Sequence, residues 1–155
     1  MSPRLRPAVA PVLCALALAC QRPKESPDGY AARVAVERYN QRLLEAFRVQ
    51  RADVLEDVAG AGEVSRVAAI LSGLAAQGRH MDARQLELTP VSVSFAAREG
   101  GGRTATVRTR ERWAYRHLGA GGESLKDGEA LYRMTYTVVE DESRWTVERA
   151  AVDPE

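Results

Sequence analysis

The feature that most constrains the fold is a strict alternation over residues 104–116, TATVRTRERWAYR. Such alternation is the signature of a half-buried β-strand. The inner face is apolar at all but two positions and carries Ala105, Val107, Thr109, Glu111, Trp113 and Tyr115. The outer face is solvated and carries Thr106, Arg108, Arg110, Arg112 and Arg116. Glu111 is therefore a carboxylate on a face that otherwise requires a core.

The folded part of the chain offers few residues for a disulfide or a metal site. The chain has 155 residues and a net charge of +1, which suit one globular domain and provide no strong field to attract nucleic acid. Both cysteines, Cys14 and Cys20, fall near the N-terminus, and His80 and His117 lack the spacing of a zinc site. We therefore expect no metal and no cofactor.

The N-terminus is typical of an exported protein. Two arginines in the first six residues precede an uncharged, mostly apolar run over residues 8–19, as in a signal peptide. The run is too short to span a bilayer, which takes about 20 apolar residues. Residues 17–20 read Ala-Leu-Ala-Cys, which resembles a bacterial lipoprotein signal in which Cys20 receives acyl chains. The same stretch also fits an A-x-A site for ordinary signal peptidase, which would leave Cys20 as a free thiol.

Three segments follow from this interpretation. Residues 1–19 are predicted to form the signal peptide, residues 20–29 a lipidated cysteine with a flexible tether, and residues 30–155 the folded domain. The predicted location is the bacterial cell envelope, with a lipid anchor on the periplasmic or outer face. A secreted or periplasmic soluble protein is the alternative.

Three helices are predicted in the first half of the domain. The first spans residues 30–50 with Asp28 as a candidate N-cap, the second spans residues 54–59, and the third extends from Val64 toward Gly78. The apolar stripe of the first helix comprises Val36, Tyr39, Leu43, Ala46 and Phe47. Each helix has a polar side, so each stripe must be covered by another element.

Four strands are predicted in the second half, at residues 86–97, 104–116, 130–140 and 145–151, with a mobile glycine-rich loop at residues 118–129. The apolar positions expected to face inward on the last two strands are Tyr132, Met134, Tyr136, Val138, Trp145, Val147 and Ala151. An antiparallel meander with one apolar face must be covered by the preceding helices. The predicted fold class is α+β, with three N-terminal helices packed on a curved antiparallel sheet of about four strands.

This order of elements resembles the nuclear transport factor 2-like superfamily, a cone of helices closed by a curved sheet. Within that superfamily, residues 34–152 are most similar to the IMS domain family, named for the intermembrane-space domain of a chloroplast division protein. The strand motifs that carry the resemblance are Ala105-Thr106-Val107, Glu111-Arg112-Trp113-Ala114-Tyr115, Tyr132 to Tyr136, and Arg144-Trp145-Thr146-Val147. The resemblance implies a domain that acts as an interaction module, and it allows a homodimer.

Cones of this kind often enclose a cavity between sheet and helices. The residues expected to line one here are Tyr39, Thr109, Glu111, Trp113, Tyr115, Tyr132 and Tyr136. Alternatively, Tyr39 is a residue of the hydrophobic core and contacts no ligand. If the cavity has a function, the resemblance favours binding of a protein segment or a small ligand.

Glu111 admits two interpretations. In the structural one it accepts hydrogen bonds from tyrosine hydroxyls or from an arginine such as Arg149, because a buried charge must be paired or neutralised. In the catalytic one it is a general base in an apolar pocket, as in ketosteroid isomerase-like relatives of the superfold, and the protein is a small isomerase, dehydratase or hydrolase. Fold analogy alone does not establish an enzyme.

The arginines of the outer face also admit two interpretations. Together with Arg133 they could contact phosphates or anionic lipid headgroups. No exposed aromatic residue is expected among them to stack on bases, so we predict no nucleic-acid partner. The simpler interpretation is a solvated outer face or a dimer surface.

Overall fold

The computed structural model describes residues 25–99 and 101–154. The elements are helix α1 (Pro27–Val49), a 3-10 turn (Asp53–Leu55), helix α2 (Ala61–Ala76) and strands β1 (Arg79–Ala97), β2 (Arg103–Gly119), β3 (Ser124–Asp141) and β4 (Arg144–Val152). The predicted α+β class is confirmed, with two helices rather than three packed on a four-stranded antiparallel sheet. The predicted signal peptide and Cys20 lie outside the described residues. Neither described helix has the length and apolarity needed to cross a membrane.

Helix α1 begins at a serine cap and is tied to the sheet by an arginine. The Ser26 hydroxyl accepts a hydrogen bond of 3.0 Å from the Gly29 amide, so the expected cap at Asp28 was wrong. Asp28 instead accepts from Arg103 at 2.6 Å, while Arg103 also donates to both carboxylate oxygens of Glu140 at 2.8 and 3.0 Å. The hydrogen bond from Arg103 holds the pKa of Asp28 below its usual range. Arg103 thereby joins the start of α1 to strands β2 and β3.

The predicted second helix at residues 54–59 is not confirmed, since only a 3-10 turn is present at its start. The 3-10 turn is followed by residues 58–60, which run parallel to β4 along its outer edge. The Gly60 amide donates to the Val147 carbonyl and the Val147 amide donates to the Val58 carbonyl, both at 2.9 Å. Leu55 and Val58 point into the core. The backbone of residues 58–60 therefore supplies hydrogen-bond partners to the edge of β4. A helix could not do this, because its carbonyl groups accept hydrogen bonds from its own amides.

The sheet is a meander in the order β1-β2-β3-β4, as predicted, but its strands are longer than the sequence indicated. The residues expected to form a glycine-rich loop are mostly paired, with Tyr115 opposite Gly128 and Leu118 opposite Ser124. The turn is confined to residues 120–123, and the Gly119 amide donates to the Glu123 carbonyl at 2.9 Å. Pairing with β2 thus overrides the poor strand propensity of this glycine- and charge-rich stretch.

The faces of β2 follow the alternation in the sequence. Ala105, Val107, Thr109 and Glu111 are buried, whereas Arg108, Arg110 and Arg116 are exposed. The register between β3 and β4 shifts by one residue. Thr137 pairs with Arg149 and Val138 pairs with Val147, so the residue between them on β4 is unpaired in this ladder. This bulge turns Ala150 inward, and the prediction that Ala151 faces inward with Val147 was wrong.

The bridge between residues 58–60 and β4 can be tested at Gly60. Gly60→Ser should leave stability unchanged or raise it by up to about 1 kcal/mol, because serine is a favourable cap for α2 and its Cβ would meet the nearest atom at 3.7 Å. Gly60→Pro should destabilise by about 2 kcal/mol. Proline tolerates the φ of −71° but removes the amide that donates to Val147.

Urea denaturation of the two variants beside the wild-type protein measures this difference. Equal stability of the serine and proline variants would show that the bridge contributes nothing.

Candidate functional site

The site is organised around the buried carboxylate of Glu111, which is 1% exposed. One oxygen accepts hydrogen bonds from the Thr109 hydroxyl at 2.6 Å and the Tyr136 hydroxyl at 2.7 Å. The other accepts from the Trp113 indole at 2.8 Å, the Gln85 amide at 3.0 Å and the Asn40 amide at 3.2 Å. Five donors on one carboxylate suit the ionised form, which only accepts.

These donors come from four different elements. Asn40 lies on α1, Gln85 on β1, Thr109 and Trp113 on β2, and Tyr136 on β3. Period-2 spacing places Thr109 and Trp113 on either side of Glu111 on the same face of β2. The carboxylate thus joins the first helix to three adjacent strands.

No arginine neutralises Glu111 within the described chain, and the expected partner Arg149 was wrong. Arg149 is exposed and lies opposite Thr137 in the sheet. The structural interpretation of Glu111 therefore holds in one part only, since tyrosine donates to the carboxylate but arginine does not. The charge is instead spread over neutral donors, each of which forms a charge-assisted hydrogen bond.

A second buried carboxylate is linked to the first through two tyrosines. Glu63, on the first turn of α2, accepts a hydrogen bond from the Tyr39 hydroxyl. It also accepts two from the Arg66 guanidinium, at 2.5 and 2.9 Å. Burial alone would raise the pKa of Glu63, but the hydrogen bonds from Arg66 and Tyr39 outweigh it and hold the pKa below its usual value. The ring of Tyr39 meets the ring of Tyr136 edge to face at 6.0 Å, which links the two clusters.

The two tyrosines that connect these clusters stay protonated. Burial raises the pKa of Tyr136 far above its usual range, and the neighbouring Glu111 carboxylate raises it further. Burial and the charge of Glu63 do the same to Tyr39. The hydroxyl groups of both residues are therefore fixed hydrogen-bond donors and not acids at neutral pH.

A cavity of about 300 Å³ opens beside Glu111. Of the seven residues predicted to line such a pocket, the six on its wall are Tyr39, Glu111, Trp113, Tyr115, Tyr132 and Tyr136. Thr109 is not on the wall, because its side chain is buried against Glu111. Much of the remaining wall is apolar and includes Leu43, Phe47, Met81, Ala83 and Met134. Lys126, His117 and Arg66 are the basic residues on it.

Three polar residues of the site were missed by sequence reasoning. Asn40 directly follows the stripe residue Tyr39, and Glu63 occupies the start of α2, where an acidic residue usually serves only the helix dipole. Gln85 lies in a stretch that was not predicted as strand, next to a bulge that shifts the register before Glu87. The one available signal was Glu111 itself, because a buried carboxylate requires donors from somewhere in the chain.

The chemistry open to Glu111 is limited by its hydrogen bonds. A general base must have a lone pair directed at the proton it removes, and both oxygens of Glu111 already accept at least two hydrogen bonds. Across residues 25–99 and 101–154, no group of three metal-ligating side chains lies close together. The geometry therefore favours a fixed polar wall beside an apolar cavity.

The outer arginines are partly neutralised. Arg112 pairs with Glu87 at 2.6 Å and with Glu129 at 3.2 Å, and Arg116 pairs with Asp82 at 3.0 Å. None of these arginines is packed beneath a helix. This is the arrangement of a solvated face.

Comparison with known proteins shows a shared fold. No protein-family model matches the sequence, and the comparison with curated proteins gives no match. The crystal structure of the intermembrane space region of chloroplast protein ARC6 is similar, with a TM-score of 0.65 and 19% identity over 78% of this chain and 95% of that one. A periplasmic fragment of TraM has a TM-score of 0.52 and 9% identity over 79% and 95% of the two chains.

A protein with a cystatin-like fold from Caulobacter vibrioides also matches, with a TM-score of 0.40 and 13% identity over 79% of this chain and 90% of that one. At these identities the likeness to the ARC6 region and to the TraM fragment concerns the fold alone. The resemblance to the IMS domain family is confirmed at the level of a related fold. Membership of that family stays a prediction.

The role of Glu111 can be tested with two substitutions. Glu111→Gln should lower the free energy of unfolding by about 1–2 kcal/mol. Its amide oxygen can keep the three N–H donors, while the Thr109 and Tyr136 hydroxyls turn to accept from its nitrogen. Glu111→Leu removes the shared acceptor of all five donors, of which Tyr136 keeps Asn40 Oδ1 at 3.2 Å, and should cost about 4 kcal/mol or more.

Urea denaturation measures both losses, and Glu148→Gln, at an exposed position, is the control. The interpretation is wrong if both variants are as stable as this control.

Proposed function

We propose that this chain is a non-catalytic envelope lipoprotein whose domain binds a small apolar ligand or an apolar side chain of a partner in the cavity beside Glu111. Residues 1–19 act as the signal peptide, Cys20 carries the lipid, and residues 20–29 form the tether to a domain over residues 30–155. The names of two similar structures support the location, because one is an intermembrane-space region and the other a periplasmic fragment.

The observation that carries the proposal is an open apolar cavity beside a carboxylate whose acceptor positions are filled. The cavity volume of about 300 Å³ is at the lower end of the range for small-molecule sites. Its wall combines aromatic and aliphatic side chains with a few polar groups, which is the usual composition of a binding pocket. A ligand would gain from burying apolar surface, and Glu111 would hold the wall in shape.

Binding can be tested with the neutral apolar fluorophore N-phenyl-1-naphthylamine. Its emission should rise on addition of the protein, and Trp113 on the cavity wall should be quenched. Ala83→Leu places extra carbon atoms in the cavity and should weaken binding roughly tenfold. Ala83 lies on the cavity wall opposite Tyr115 in the sheet, whereas the next pair, Arg84 and Ala114, lies on the other face, so Ala114→Leu is the matched control.

Equal binding by the two leucine variants would place the fluorophore elsewhere on the protein. Absence of any emission change with the wild-type domain would contradict the pocket as a binding site.

A second candidate function is catalysis by Glu111, which one observation favours: the carboxylate borders an open apolar cavity. A small isomerase, dehydratase or hydrolase would lose its turnover in Glu111→Gln without a matching loss of stability. If the domain only binds, Glu111→Gln should lower the free energy of unfolding, and there is no catalytic activity for the substitution to abolish.

The lipid anchor makes a separate prediction. In a bacterial host, Cys20→Ala should move the mature protein from the membrane fraction to the soluble fraction, because acyl chains attached at that sulfur provide the membrane affinity. Incorporation of labelled fatty acid should disappear in the same variant. A Cys20→Ala protein that stays in the membrane fraction would rule out this anchor.

A further inference from the structure

One edge of the sheet is unprotected. Residues 124–133 of β3 pair only with β2, because the ladder between β3 and β4 extends from Met134 to Asp141. Among the described residues, the one backbone group that continues this ladder is the Asp153 amide, which donates to the Arg133 carbonyl at 2.8 Å. A row of unpaired amides and carbonyls is a template for an added strand.

The other edge strand, β1, is interrupted, and the edge of β4 is covered in part. β1 carries Pro90 and two register shifts, which interrupt the regular outward pattern of donors and acceptors. β4 is covered by residues 58–60 through the hydrogen bonds to Val147. On β3, residues 126–133 form a bare edge that no register shift interrupts, between the bulge at residue 125 and the hydrogen bond from Asp153.

Exposed apolar side chains lie at this same edge. Leu131 is 79% exposed, Val152 58% and Tyr132 37%. They line a groove of about 650 Å³ that also includes Arg110, Arg133, Asp153 and Pro154. Because side chains alternate along β3, Leu131 and Arg133 face outward while Tyr132 faces the cavity side, so the groove wraps around the edge.

The groove also carries more positive than negative charge, because Arg110 and Arg133 share it with one described carboxylate, Asp153. Arg110 and Arg133 lie directly opposite each other on β2 and β3. Like charges in this position repel, and no described carboxylate lies within ion-pair distance of either, in contrast to Arg112 and Arg116. Asp153, the carboxylate described in the groove, already accepts from the Thr135 hydroxyl at 2.6 Å.

We propose that residues 124–133 form a docking edge for an extended segment of another protein in which acidic and apolar residues alternate. The segment adds as a strand to β3 through main-chain hydrogen bonds. Its acidic side chains lie beside Arg110 and Arg133, and its apolar side chains cover Tyr132 and Val152. Charge complementarity favours an acidic segment over a second copy of this edge, because two copies would bring their arginines together.

Two short blocked peptides test the proposal, one alternating valine with glutamate and the other alternating valine with lysine. Fluorescence anisotropy with the lipid-free domain should show binding of the glutamate peptide and binding of the lysine peptide weaker by roughly tenfold or more. Arg133→Glu should reverse this preference. Arg84→Glu, at an exposed position on β1, makes the same charge change and should leave the preference as it is.

Ala83→Leu should bind the glutamate peptide as tightly as the wild-type domain does. A failure of the docking-edge proposal can therefore be distinguished from a failure of the cavity proposal. The proposal is overturned if neither peptide binds, or if Arg133→Glu behaves like Arg84→Glu. It is also overturned if sedimentation shows a dimer that Leu131→Lys dissociates, since the occupant is then a second copy. Binding to phosphatidylglycerol vesicles that Arg133→Glu abolishes, with no peptide bound, would identify a lipid surface instead.

Discussion

The buried carboxylate of Glu111 is the constraint on which the rest of the structure depends. A charge removed from water has to be matched by donors, and no single element of this chain could supply enough of them. The donors on α1, β1, β2 and β3 must therefore converge, and their convergence sets how the helix crosses the sheet. The polar cluster specifies the arrangement of a core that is otherwise made of apolar side chains.

The two buried carboxylates are stabilised in different ways, and only Glu111 is on the wall of the cavity. Glu63 pairs with Arg66, whose side chain reaches water, so this ion pair closes the end of the core where α2 begins. Glu111 has only neutral donors and borders the cavity. Tyr39 and Tyr136 connect the two, so a ligand in the cavity would rest on rings whose hydroxyls are already fixed.

The sequence could predict those parts of the fold that one segment determines by itself. Alternation in β2 was enough to place Glu111 on the inner face, and the apolar stripe was enough to find α1. The partners of Glu111 were harder to predict, because Asn40 and Gln85 acquire their role only when α1 and β1 are brought together. The same limit applies to residues 118–129, whose glycines indicate a loop, although pairing with β2 extends the strand through most of them.

Both proposed binding surfaces follow from a mismatch in length. Helix α1 has 23 residues and is about 35 Å long, whereas the 17 residues of β2 extend for about 56 Å. The strands therefore continue beyond the helix that covers them, and Trp113, Tyr115 and Tyr132 line an open cavity instead of a closed core. β4, with 9 residues, is only half as long as β3, with 18, so part of β3 keeps a bare edge. A longer helix would close the cavity, and a longer fourth strand would cover the bare edge. Exposure at this end therefore belongs to the architecture and does not result from a few individual side chains.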